Sequence, residues 1–243
     1  MRRKNAWTTY NKKQLDELEK LCKNYLKFLD KGKTERECVK QIVKQAEEKG
    51  YVNLADITKD KKALKAGDKV YSVCMDKTVA LFQIGKKKLE KGMNILGAHI
   101  DSPRMDVKQN PLYESEEFAY LDTHYYGGIK KYQWVTLPLA LHGVVVKKDG
   151  TVITVNVGED KNDPVFCVTD LLIHLAGEQM EKKANKVIEG ENLDVLVGSK
   201  PLEGKEKDAV KEGILEILKE KYDMTEEDFM SAEIEVVPAG HAR

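Results

Sequence analysis

The run Gly97-Ala98-His99-Ile100-Asp101-Ser102-Pro103 sets an imidazole and a carboxylate two residues apart, at the end of a short apolar stretch, Met93-Asn94-Ile95-Leu96-Gly97-Ala98. That stretch has the composition of a buried strand. In extended chain, residues i and i+2 share a face, so His99 and Asp101 can project into one crevice. The carboxyl ends of strands are where open α/β sheets bind ligands. An imidazole is a good zinc ligand, and a neighbouring carboxylate can orient it from behind. The same spacing also describes a satisfied polar turn after a strand, and H-x-D alone does not separate the two readings.

Other candidate groups carry less. His142 lies in the apolar run 135–146 and reads as a hydrogen-bonded core or interface histidine. His241 sits two residues from the last residue and reads as frayed. His124 fits a loop or a subunit contact equally well. His174, between Ile173 and Leu175, fits a plain helix position by periodicity. Glu47-Glu48 reads as a solvated helix tail, and Glu226-Glu227-Asp228 after Thr225 as the acidic first turn of a capped helix. Gly127-Gly128 reads as a turn, because no phosphate-loop pattern follows it. There is no G-x-S-x-G and no recognisable Cys–His spacing, so nucleophilic hydrolysis has no support. The cysteines (Cys22, Cys38, Cys74, Cys167) are widely spaced without a C-x-x-C pair, which favours reduced thiols in a cytoplasmic protein.

The elements that must position these groups follow from composition and period. The 243 residues carry 41 basic and 41 acidic side chains, 41% hydrophobic residues and 34% charged ones, a globular balance. Zero formal charge, with only five arginines, argues against a nucleic-acid partner. No run approaches the ~18 apolar residues of a membrane span, so no membrane partner is expected. Leu15, Leu18, Leu21, Cys22, Tyr25, Leu26 and Leu29 predict a helix stopped by Gly32, and Thr34 with Glu37 predicts a capping box for a second. Segments 69–74 and 78–84 predict a hairpin, and 144–155 another, turned at Asp149-Gly150. Helices are expected over 171–183 and 205–222, and a strand over 232–237. Helices before strands at this spacing give a mixed α/β architecture.

Several segments, taken in order, resemble the aspartyl and vacuolar-type aminopeptidase I family of zinc metallo-aminopeptidases. They are the run 96–108 around His99, then Tyr125-Tyr126-Gly127-Gly128-Ile129, Trp134, Pro138-Leu139-Ala140-Leu141-His142-Gly143, Asp170-Leu171-Leu172-Ile173-His174-Leu175, and the run 232–240 ending in Pro238-Ala239-Gly240. The resemblance implies an open mixed-sheet α/β metallopeptidase catalytic domain interrupted by an inserted β-rich dimerisation domain. On that basis residues 1–102 open the catalytic domain, 103–232 form the insert and 233–243 return to the catalytic domain. It also implies release of N-terminal residues from peptides by metal-activated water at a centre of two zinc ions, within a homo-oligomer. His99 matches a zinc ligand, Asp101 the acidic residue beside the metals, and His174 a residue of the insert that reaches a neighbouring subunit's active site. There it would aid catalysis by donating to developing negative charge.

The departure from the family is as specific as the match. The family continues with a bridging Asp, a Glu-Glu pair, a further acidic ligand and a final His. On this resemblance the chain is a bacterial-type member that stops short of them. One His and one nearby Asp fall below the three protein ligands a catalytic zinc needs. The chain alone is therefore expected to be inactive. The rival expectation is a non-catalytic assembly module derived from such an enzyme.

Overall fold

The computed structural model describes residues 3–243. The chain forms two compact units, one running to Asp101 and including His241–Arg243, the other Ser102–Gly240. It is mixed α/β with two open sheets.

The first unit begins with α1 (Lys12–Lys31) and α2 (Glu35–Glu47). Both start at reciprocal caps. Asn11 Oδ1 accepts from the Gln14 amide at 3.0 Å while Gln14 Oε1 accepts from the Asn11 amide at 3.0 Å. Thr34 and Glu37 do the same at 3.3 and 3.2 Å, the pair expected from the sequence. β1 (Val52–Asn53) and the short α3 (Leu54–Lys59) lead to the hairpin of β2 (Lys69–Cys74) and β3 (Thr78–Gln83). The sheet runs β1-β2-β3, with β1 parallel to β2, and α2 packs on the hairpin. Cys38, Val39, Ala46, Val70 and Tyr71 are its buried apolar residues, and Arg36 Nη1 donates to the Met75 carbonyl across the hairpin turn at 3.0 Å.

The strand expected at 93–98 is absent. After a 3-10 turn at Leu89–Lys91 the backbone takes no regular structure through Pro103, and Leu96 is 100% exposed. An apolar strand is stable only when a neighbour takes its backbone groups and layers cover both faces. Among the described residues no strand pairs with this one.

The second unit is one antiparallel sheet in the order β7-β6-β9-β4-β5-β8. Its strands are β4 (Arg104–Ser115), β5 (Phe118–Tyr126), β6 (Leu139–Val146), β7 (Val152–Val157), β8 (Val195–Gly198) and β9 (Ala232–Pro238). A short helix, α4 (Gly177–Met180), precedes β8, and α5 (Ala209–Tyr222) follows it. β9, the last in sequence, lies between β6 and β4 and so joins the β6–β7 hairpin to the rest of the sheet. The β6–β7 connection turns at Gly150, whose φ of 85° is the left-handed geometry a tight hairpin loop needs.

Alternation along the strands sorts the two faces. Met105, Leu121, Leu141, Val155, Val157, Ile234 and Val236 join Val210, Met224 and Phe229 in one apolar cluster, with Ile214 and Leu218 of α5 against it. α5 starts at Ala209 rather than 205, because Asp208 has a left-handed backbone and gives no side-chain cap. The cap comes from elsewhere: Glu114 Oε2 of β4 accepts from the Val210 and Lys211 amides at 2.8 and 2.9 Å. The helix expected over 171–183 shrinks to a 3-10 turn at Ile173–Leu175 and the four residues of α4. Leu171, Leu172, Ile173 and Leu175 form a contiguous exposed run, and a helix this short is not stable without a packed face.

Candidate active site

His99 and Asp101 end the irregular segment of the first unit and lie together. His99 Nδ1 is 3.0 Å from the Asp101 backbone oxygen and 3.3 Å from its Oδ1. Nδ1 is thus engaged by its own neighbour, which leaves Nε2 as the ring nitrogen free to ligate. The imidazole is 84% exposed, so it has few contacts to hold it in one rotamer.

A catalytic zinc takes three protein ligands and a water. Among the described residues no group of three or more His, Cys, Asp or Glu side chains could hold a metal ion. The donors that this chain brings together therefore do not fit a zinc centre by themselves. His99 could become a ligand only with further donors.

His174 belongs to the second unit, on the 3-10 turn at Ile173–Leu175. Its loop is anchored at one end by Asp170, whose Oδ1 accepts from the Leu171 amide at 2.8 Å and from Gln179 Nε2 at 2.9 Å. Behind the loop is an open cavity of about 430 Å³ bordered by Leu171, Leu175, Gln179, Lys182 and Asn192. His174 is thus displayed among four exposed large apolar side chains, an unfavourable arrangement for a surface that meets only water.

Each of the other three histidines lies near a carboxylate. His142 is buried, with Nε2 3.1 Å from Glu159 Oε1. His124 is exposed, 3.9 Å from Asp106 Oδ2. His241 is held rather than frayed: its Nδ1 is 3.4 Å from Asp30 Oδ2, and the Ala242 amide donates to Asp30 Oδ1 at 2.7 Å.

Sequence reasoning missed a polar row across the sheet of the second unit. Asn156, His142, Glu235, Asp106 and His124 are register partners on five successive strands. Arg104 joins them, with Nε 2.8 Å from Asp106 Oδ1 and 2.9 Å from Glu235 Oε2, and its guanidinium stacks 4.3 Å from the Tyr126 ring. Glu235 is 1% exposed, so this is a buried ion pair. Glu159 Oε2 also accepts from the Gly240 amide at 3.2 Å, which ties the end of β9 to the same group. The signal lay in the alternation of Arg104 with Asp106 and of Glu233 with Glu235. At the far edge of the sheet Tyr113 donates to Asp194 Oδ2 at 2.6 Å. Burial pushes the Asp194 carboxyl above its usual range, against the lowering effect of that hydrogen bond.

Comparison with known proteins bears on this geometry. The family profile described as Aminopeptidase I zinc metalloprotease (M18) matches residues 28–243. The chain is 61% identical over 241 residues to the probable M18 family aminopeptidase 1 of Clostridium acetobutylicum, covering 99% of this chain and 52% of that protein. The crystal structure of the M18 aminopeptidase from Thermotoga maritima matches with a TM-score of 0.90 at 47% identity, over 98% of this chain and 51% of that one. The S. cerevisiae mApe1 dodecamer shares the fold at a TM-score of 0.63 and 17% identity, over 91% and 49%. The chain spans about half the length of the curated relatives it matches. With the profile matched over most of its length and relatives this similar along nearly all of it, the chain belongs to the M18 aminopeptidase family.

Proposed function

We propose that this chain provides part of a zinc-dependent aminopeptidase that releases N-terminal residues from peptides, and that it works as a subunit of a cytoplasmic homo-oligomer. The observation that carries this reading is the family match over residues 28–243. In it, residues 1–101 and 241–243 belong to the catalytic domain and Ser102–Gly240 form an inserted assembly domain, with β9, expected from sequence to return to the catalytic domain, instead an inner strand of the insert's sheet. His99 is a ligand in a two-zinc centre and Asp101 stands beside it, a reading supported by their mutual contact. His174 acts in a neighbouring subunit's site, supported by its display on an exposed apolar loop. No helix among the described residues is long and apolar enough to cross a membrane.

The 243 residues alone are inactive in this reading, because a zinc centre needs more donors than they supply. Hydrolysis of an aminoacyl chromogenic substrate by the purified chain, lost with a chelator and with His99→Ala, would refute that. A second reading, a non-catalytic assembly module, is favoured by one contrast. The second unit has a six-stranded hydrogen-bonded sheet and a single apolar core, while the His99 segment has neither. Sedimentation decides its main requirement: a monomer at micromolar concentration sinks the assembly role in both readings.

A further inference from the structure

We propose that the second unit holds a binding site for a small aliphatic monocarboxylate. The chain of the ligand enters the apolar cavity between α5 and the sheet, and its carboxylate pairs with Lys221 at the mouth. The proposal concerns this unit alone and does not depend on the metal reading of His99.

The cavity measures about 220 Å³. Leu141 of β6 and Val157 of β7 bound it on the sheet side, Ile214 and Leu218 of α5 on the helix side, and Ile217 and Lys221 at the mouth. Leu141 and Val157 are buried, whereas Ile217 is exposed and the Lys221 side chain is 51% exposed. The space therefore runs from the apolar core of the unit to solvent beside an ammonium group. Among the described residues that bound it, Lys221 alone is charged.

Close-packed interiors hold few voids larger than a water molecule, whose share of liquid volume is about 30 Å³. An apolar void also gives water no partners, so it favours an apolar occupant. A cavity of about 150 Å³ admits benzene, so this larger one suits an aliphatic chain of about six to eight carbons.

The cation sets the other end of the ligand. Lys221 Nζ is 3.9 Å from Asp163 Oδ1, beyond hydrogen-bond length. Asp163 Oδ2 already accepts from the Gly158 amide at 3.0 Å and from the Asp160 amide at 3.4 Å. The Gly158 amide holds the Asp163 carboxyl below its usual range. Asp163 is thus anchored to its own loop, and the three donors of Lys221 leave capacity for a second carboxylate. Lys221 Nζ also lies 5.7 Å from the centroid of the Tyr222 ring, a contact that favours an ammonium close to the apolar mouth. An alkylammonium would meet like charge there, and a neutral alcohol would lack the ion pair.

The test is a methyl NMR titration of the 243-residue chain with sodium octanoate, octan-1-ol and octylammonium chloride. The expected result is saturable shifts at the methyls of Leu141, Val157, Ile214 and Leu218, with a Kd of about 0.1–1 mM for octanoate. Octanol and octylammonium should bind at least ~3-fold more weakly. Lys221→Gln, on an exposed side chain, should weaken octanoate about 3–5-fold and leave octanol unchanged. Val157→Phe, which fills the space, should abolish binding of both, and if that variant does not fold the Lys221→Gln comparison still decides. The proposal is overturned if octanoate gives no saturable shift at these methyls, if the three ligands bind equally, or if Lys221→Gln leaves octanoate binding unchanged. Shifts of the same methyls that follow the concentration of this chain without ligand overturn it too, in favour of a second copy seated at the mouth.

Discussion

Gly143→Ala should break the second unit along one line. Gly143 lies in β6 opposite Ile234 of β9, within a ladder of seven register pairs. A Cβ at this position would lie 2.0 Å from the Glu233 carbonyl oxygen and 2.8 Å from the Ile234 Cα. Both are backbone atoms, so no side chain can swing aside. Restoring ordinary contact requires β6 and β9 to separate by more than about 1 Å, which carries ladder bonds of about 2.9 Å past hydrogen-bond length. Because β6 and β7 attach to the rest of the sheet through β9, the damage falls on an internal seam. Overpacking strain of about 1–3 kcal/mol plus two or so lost ladder bonds at about 1 kcal/mol each gives roughly 3–5 kcal/mol. That is a large share of the stability of any domain. Urea unfolding followed by the fluorescence of Trp134, which packs against this unit's apolar cluster, measures it. Gly177→Ala is the control, since a Cβ there meets nothing within 4 Å, and it should stay within about 0.5 kcal/mol of the parent. A Gly143→Ala variant within about 1 kcal/mol of the parent would refute the close approach of the two strands.

Three further outcomes are expected. Glu114→Ala should cost about 2 kcal/mol in urea unfolding and Glu114→Gln about 1 kcal/mol, because the amide oxygen can still accept from the start of α5 but carries no charge. Equal losses would show that charge does not contribute. Arg104→Ala should cost about 3–5 kcal/mol, since it leaves Glu235 and Asp106 without their cation, and a neutral result in calorimetry would remove the buried ion pair from the account. Asp194 has its carboxyl pKa raised by burial, so its stabilising proton is fully bound below the ordinary carboxylate value and lost as pH rises through the folded-state value. Asp194→Asn should therefore gain Tm relative to the parent as pH rises from the ordinary carboxylate value, about pH 4, through the folded-state value. A difference that shrinks over that interval has the wrong sign.

What could be read from sequence was what depends on neighbours in the chain. The Thr34 helix start and the Asp149-Gly150 hairpin need only residues three or four apart, and they are legible at that range. The Asn11 box itself went unread because Gln14 is a less familiar partner than Glu37. Residues 93–98 and 171–183 show the opposite. Their apolar content signals burial, but the burying surface lies elsewhere, and local periodicity cannot say whether it is present. The position of β9 between β6 and β4 depends on contacts at least 87 residues apart, for which no local spacing exists. Of the site, only the His99–Asp101 pair could be read from spacing. The Arg104 network needed the sheet register before Glu235 and Asp106 became neighbours.

The central proposal is that His99 becomes a metal ligand only with donors beyond those the described residues bring together. Zinc per polypeptide, measured by mass spectrometry after exhaustive buffer exchange, tests it most directly. Well under one equivalent is expected for the 243-residue chain, unchanged by His99→Ala. One or more equivalents, lost on His99→Ala, would contradict it and would mean that these residues complete the centre themselves.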